Sequence, residues 1–299
     1  MSKSVKTALT GYLFISPWLI GLIGLTMWPI LQSFYYSFTN YSLLDAAKWI
    51  GTANYHKIFT DDAMFVKSLT VTLLFVAVSV PLKLITALLV AMLLNKKVRG
   101  MSIYRTLIYI PSLIGTSIAV AILWKNIFGV DGFINTFLAF FGFQGKSWIS
   151  NPDTALGTLI LLMIWQFGSS MVIFLAGLKQ ISPDLYEASS VDGAGKWRQF
   201  FKITFPMLSP VILFNLVLQT IGSFQMFTQA FVITQGGPVN STFVFAMYLY
   251  ERAFSRFQMG YASALAWIFL LIIGAATAII FISSKYWVFY ETETEGRRK

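Results

Sequence analysis

Asn215, Gln219, Ser223 and Met226 follow one another at steps of four, four and three residues. On a helix that spacing sets three hydrogen-bonding side chains and a thioether on one continuous face. Such groups recognise hydroxyls; they do not make or break covalent bonds. Gln225, Thr228 and Gln229 extend the polar character, and "WQFGSSM" places Trp165, Gln166, Ser169 and Ser170 within a second apolar run. An indole beside an amide and two hydroxyls suits a sugar ring. Hydrogen bonds between neighbouring helices are the alternative use of the same groups. Lys83 lies about halfway along a third apolar run, where a lysine costs about 2.5–3.5 kcal/mol on insertion scales. Contact with an anionic or hydroxyl-rich solute would explain it, and so would snorkelling or bonding to backbone carbonyls. Catalytic chemistry finds no footing: no paired carboxylates, Ser-His-Asp set or metal ligands converge. His56 is the only histidine and cysteine is absent, which removes disulfides and thiolate metal sites. The chain reads as a non-enzyme without metal or cofactor.

The elements holding these residues follow from composition. Of 299 residues, 57% are hydrophobic and 11% charged, and the mean hydropathy is +0.70. That is more apolar surface than a soluble core needs, so the expected fold class is an all-α integral membrane protein. Six apolar runs predict transmembrane helices at 11–38, 68–94, 104–125, 154–178, 206–234 and 259–284, since roughly 20 residues cross a bilayer. They form one domain, 9–290, between an N-terminal segment 1–8 and a tail 291–299. Pro81 and Pro111 inside their runs predict kinks. "TQGGPVNS" breaks the fifth run, leaving 239–250 as a shorter outer helix or hairpin. The phenylalanine-rich loop at 125–153 reads as an outer interfacial hairpin or short helix. Gly260, Ala264, Gly274 and Ala278 form small-residue pairs four apart in the sixth run, suited equally to internal packing and to a subunit interface.

With the N-terminus in the cytoplasm, fourteen Lys and Arg fall on that side against seven opposite, as the positive-inside tendency expects. Both termini are then cytoplasmic. The net charge of +10 is accounted for by topology and anionic lipid, without nucleic acid. None of the six runs contains Asp or Glu, which disfavours coupling to an ion gradient. No Gly-x-x-x-x-Gly-Lys-Ser/Thr loop is present either, so any energy from ATP must enter through another protein.

The polar segment 179–205 between runs four and five is the one intracellular insert of substance. Ser182, Pro183 and Asp184 can start a helix. Ala188, Ser189 and Ser190 leave room for another surface, and Gly193 and Gly195 end the helix and allow a sharp bend. A second short helix is expected from Lys196, ahead of Pro206. The result is a helix-turn-helix built to dock.

"EASSVDGAGKWRQFFKITFPMLSP" resembles the EAA loop of permease subunits in binding-protein-dependent ABC importers, in the carbohydrate class of maltose-type and glycerol-phosphate-type permeases. Glu187, Ala188, Asp192, Gly193, Ala194, Phe200, Ile203, Pro206 and Pro210 carry the likeness. "TQGGPVNSTFVFAMYLYERAF", Asn54 to Phe59, "YRTLIYIP" and "WKNIFGVDGFIN" are similar to further family segments, so the likeness spans nearly the whole chain. Ser189 and Phe205 depart from common family residues, and Lys83 falls where an uncharged residue is expected.

The resemblance implies six transmembrane helices in a bacterial or archaeal cytoplasmic membrane. A cytoplasmic coupling helix lies between helices four and five, and Glu187, Ala188, Asp192, Gly193, Ala194 and Gly195 contact a separate ATPase. It implies a heterodimer with a second, similar permease, two ATPase copies, an extracytoplasmic solute-binding protein and a carbohydrate substrate such as an oligosaccharide, polyol or sugar phosphate. The family's sugar-contact positions are similar to Gln166, Ser170, Gln219, Ser223, Met226 and Thr228, with Asn215 and Lys83 added from the residues themselves. A stand-alone carrier or channel and a non-transport scaffold are the alternatives.

Overall fold

The computed structural model describes residues 3–96 and 98–289, with side chains described for 11–96 and 98–289. The expected tail 291–299 and the first two residues of the N-terminal segment lie outside the described residues. Among the described residues there is no strand, only an isolated bridge between Thr39 and Trp49. Among the described residues, four helical segments are long and apolar enough to cross a membrane: Gly11–Ser37, Ala63–Leu94, Lys196–Ile233 and Met259–Trp287. Two further apolar segments are bent helix pairs, giving up to six crossings.

The chain also breaks where no proline predicts it. Pro81 and Pro111 sit inside helices, but the third run breaks at residues 115–117 and turns by 99° between Met101–Ile114 and Ile118–Ile127. Gly115 closes the first helix and Ser117 caps the second, its Oγ accepting from Val120 N–H at 3.3 Å. The fourth run bends by 42° at Gln166 and Phe167, between Pro152–Trp165 and Gly168–Gln180. The fifth breaks at 225–227, after Phe205–Phe224 and before Thr228–Ile233. The expected second short helix from Lys196 is not separate either: Lys196–Gln199 continues through a π-helical turn, Phe200–Thr204, into Phe205–Phe224. That turn and another, Leu22–Met27, lie just ahead of Pro206 and Pro29. A proline removes one helical donor and crowds the carbonyl four residues back, and widening the turn relieves both.

The chain divides into two compact units, Met1–Phe65 with Leu249–Leu271 and Val66–Tyr248 with Ile272–Lys299. In the first, the Gly11–Ser37 span leaves Phe14, Trp18 and Leu25 exposed. Gly260 N–H donates to the Tyr41 carbonyl at 2.8 Å, and a Cβ at Gly260 would run into the Thr39 carbonyl. Gly260 and the fully buried Ala264 thus serve packing within the chain, whereas Gly274 and Ala278 remain uncovered. Asp62 is the polar centre of this unit. Its Oδ1 accepts from Met64 and Phe65 N–H, both at 3.1 Å, capping the Ala63–Leu94 helix. Its Oδ2 accepts a hydrogen bond from the Tyr261 hydroxyl and lies 3.6 Å from Arg252 Nη2.

In the second unit, two polar side chains organise loops. Asn135, on a short helix Phe133–Phe140, donates to Val130 and Lys146 carbonyls at 2.8 Å and accepts from Trp148 Nε1 at 2.8 Å. The buried Thr242 hydroxyl bridges Thr234 Oγ1 at 2.7 Å and the Gly237 carbonyl at 2.8 Å, fastening the Gly-Gly-Pro turn with its cis Gly237–Pro238 bond. The residues after that turn form Phe245–Tyr250. Thr72 takes the N–H of Phe245 at 2.8 Å.

Candidate functional site

A cavity of about 310 Å³ opens in the second unit where the three broken runs meet. Thr116 comes from the first break, Gln166 from the second, and Gln225, Met226 and Phe227 from the third. Phe75 and Lys83 reach it from Ala63–Leu94, and Thr228 and Gln229 from the short helix beyond the third break. Irregular backbone at membrane depth is tolerated where it lines a cavity, because exposure to hydrocarbon would strand its polar groups. The breaks and the cavity therefore explain one another. Gln166 ties two of them together: its Nε2 donates to the Gly115 carbonyl at 3.0 Å. Next to it, a Cβ at Gly168 would crowd the Ile108–Ser112 turn, and Ser112 Oγ accepts from Ser169 N–H at 3.1 Å. Gln166→Leu is expected to destabilise the fold by about 1–3 kcal/mol, the cost of orphaning a buried carbonyl. A lower melting temperature in detergent, with helix content kept, would register it.

Of the sequence-predicted pathway residues, Lys83, Gln166, Met226 and Thr228 share this cavity. Ser170, Asn215, Gln219 and Ser223 do not line it. The helical stripe is interrupted because the helix ends at Phe224, which takes Met226 off the face of Asn215, Gln219 and Ser223. Ser170 Oγ, Asn215 Oδ1 and Ser223 Oγ are buried with no hydrogen-bond partner among the described residues, so these atoms make no bond to a neighbouring helix there. Trp165 is turned away too, packing on Trp124 at 5.8 Å between ring centroids. The aromatic faces at the cavity belong to Phe75 and Phe227, with Thr116, Gln225 and Gln229 as additional polar lining. Thr116 lies in a Gly-Thr-Ser stretch that the surrounding apolar run masks. Phe75 carried no signal among so many apolar neighbours.

Lys83 is the only charged residue in the lining and is 5% exposed. Among the described residues its ammonium meets no carbonyl; its neighbour is Met163 Sδ at 3.9 Å.

The 182–199 segment is a second, separate feature. Ser182 caps Pro183–Val191, its Oγ accepting from Asp184 N–H at 3.3 Å. The helix closes in a Schellman motif: Gly193 N–H donates to the Ser190 carbonyl at 3.1 Å and Ala194 N–H to the Ser189 carbonyl at 2.9 Å. Gly193 has φ +77°, and a Cβ there would touch nothing. Gly195 is extended and starts the next helix instead. Gln199 clamps the bend, donating to Ser189 Oγ at 3.0 Å and Ser190 Oγ at 2.8 Å. These serines thus serve the loop's own fold. Glu187, Ala188, Asp192, Gly193 and Gly195 are exposed and Ala194 is half-buried. Glu187 has no ion-pair partner among the described residues, and Val191 and Trp197 project into the open.

Residues 83–288 match the family described as binding-protein-dependent transport system inner membrane component. The chain belongs to this family. It is 53% identical over 298 residues to the probable ABC transporter permease protein YesP of Bacillus subtilis (strain 168), covering 98% of this chain and 96% of that protein. It is 34% identical over 285 residues to the lactose transport system permease protein LacF of Rhizobium radiobacter, covering 92% and 94%. Its fold matches a chain of a bacterial alginate ABC transporter crystallised with an alginate pentasaccharide-bound periplasmic protein. The TM-score is 0.82 at 20% identity, over 94% of this chain and 96% of that one. As a family member the chain is an inner-membrane transport component and not an enzyme. The same membership gives the EAA motif at 187–210 its context.

Proposed function

We propose that this chain is one transmembrane subunit of an ATP-driven importer that carries a carbohydrate across the cytoplasmic membrane by alternating access. It pairs with a second, similar permease. Two cytoplasmic ATPase subunits drive the pair, and an extracytoplasmic solute-binding protein loads it. Both termini lie in the cytoplasm, on the side of the 182–199 finger. The carbohydrate assignment draws support from relatives such as the lactose permease and from a cavity that joins amides and hydroxyls to aromatic faces.

The observation that carries the proposal is the finger itself. It is folded by its own caps and by Gln199, so it needs no burial, yet it presents Glu187 and Val191 outward, and Trp197, stacked on Phe201 on one side, is largely exposed as well. A pre-formed, unpartnered projection can transmit a push or pull as a rigid body, which is how closure of an ATPase dimer would move packed helices.

Co-expression with candidate ATPase, second-permease and binding-protein genes from the same genome is the direct test. The tagged chain should copurify the ATPase, and binding protein loaded with carbohydrate should stimulate ATP hydrolysis several-fold. Solute uptake by the purified chain alone, without ATP, would refute the proposal.

A further inference from the structure

The proposed function leaves one residue unused. Lys83 is nearly fully enclosed and lines the cavity, no carboxylate of the described residues stands within 4.0 Å, and its one polar contact is a thioether. A thioether is a weak hydrogen-bond acceptor and balances no charge. Placing an ammonium ion in protein interior at membrane depth is costly, and buried charges persist where a counter-charge meets them. Within this unit, the cavity is the space from which a counter-charge can come.

Resting on the carbohydrate reading, we propose that the solute passing this cavity is an acidic sugar whose carboxylate pairs with Lys83. The surrounding groups fit the rest of such a molecule. Gln166, Gln225, Thr228 and Gln229 offer donors and acceptors to ring hydroxyls, and Phe75 and Phe227 offer apolar faces to the ring. No arginine lines the cavity. One lysine balances a singly charged carboxylate, whereas a phosphate ester carries close to two charges and favours several donors or a forked guanidinium. A uronic acid unit is therefore the expected ligand class, with one oxygen of its carboxylate accepting from Nζ.

The test uses the complete importer, with both permeases, ATPase and binding protein, reconstituted in proteoliposomes. Uptake of labelled disaccharides and trisaccharides is compared across three sets: galacturonate, glucuronate and mannuronate oligomers, their neutral hexose counterparts, and hexose phosphates. The expected result is ATP-dependent uptake from the uronate set, with neutral and phosphorylated sugars carried poorly. Lys83→Met should lower uronate uptake ~10-fold or more, the scale of removing one member of an enclosed charge pair, and Lys83→Arg should retain most of it. Gel filtration of each variant checks assembly. Uptake of a neutral sugar or sugar phosphate at or above the uronate rate would overturn the inference and leave the importer assignment standing. The same holds if Lys83→Met prevents assembly while the wild type carries neutral sugar, because Lys83 would then pair with a partner subunit. Failure of every sugar in an assembled, ATP-hydrolysing complex would bring down the carbohydrate reading together with it.

Discussion

Glu187→Lys and Gly193→Asn are expected to lower ATP-dependent uptake by roughly a hundredfold while the protein still inserts and folds. For Glu187→Lys the magnitude corresponds to the about 2–5 kcal/mol lost when one partner of a hydrogen-bonded charge pair is removed from an interface. The two variants probe one surface by different physics. Glu187 is exposed and has no ion-pair partner among the described residues, so reversing its charge costs the isolated subunit little. Gly193 sits at φ +77°, the left-handed region, which for most residues costs about 1–2 kcal/mol and which asparagine visits most readily. A Cβ at Gly193 meets open space. Asparagine therefore preserves the Schellman cap, and any clash it produces must come from another subunit. Uptake and ATP hydrolysis should be measured in the same vesicles: hydrolysis that continues while uptake stops is the signature of a severed link. Normal uptake in both variants would show that the finger carries no force.

The finger was readable from sequence because polar residues in an apolar chain are conspicuous and because Ser-Pro-Asp and a Gly turn are strong local punctuation. Its internal clamp was not readable. Gln199 lies ten residues from Ser189, a distance closed only once the bend is formed. Ser189 and Ser190, expected to leave room for another surface, instead hold Gln199, while Glu187 has no ion-pair partner among the described residues.

The cavity shows the reverse. Its polar residues were visible, but the breaks that bring four of the eight expected residues together were hidden by apolar continuity. A run such as "IPSLIGTSIAVAIL" scores as one crossing because hydropathy averages over the Gly-Thr-Ser stop and restart. Periodicity assumes an unbroken helix, and so it placed Met226 on a stripe that ends at Phe224. Trp165, the residue before the 42° bend, packs its indole on Trp124, a contact with no local sequence signal. Membrane helices with interruptions place function at the interruptions, where backbone and side-chain polarity coincide.

The Asp62 cluster left no sequence signal, since its members lie up to 199 residues apart, and it carries the largest expected effect on stability. Asp62→Ala removes three things together: the cap on the Ala63–Leu94 helix, the acceptor for Tyr261, and the counter-charge of Arg252, whose side chain is only 13% exposed. Breaking a buried pair by deleting one member costs about 3–5 kcal/mol, because the other charge stays enclosed. Loss of the cap adds roughly 1 kcal/mol. Arg252 keeps some support from Gln258 Oε1 at 3.0 Å and from the Tyr261 ring at 5.1 Å, which argues for the lower end of that range. Asp62→Asn should fall between alanine and wild type, since its amide oxygen can still cap the helix but supplies no charge. The double variant Asp62→Ala with Arg252→Met should recover part of the loss, because the stranded cation is gone. Melting temperatures in detergent for the four proteins form the measurement. A double variant no more stable than Asp62→Ala would assign the loss to the cap and the tyrosine bond rather than to the ion pair.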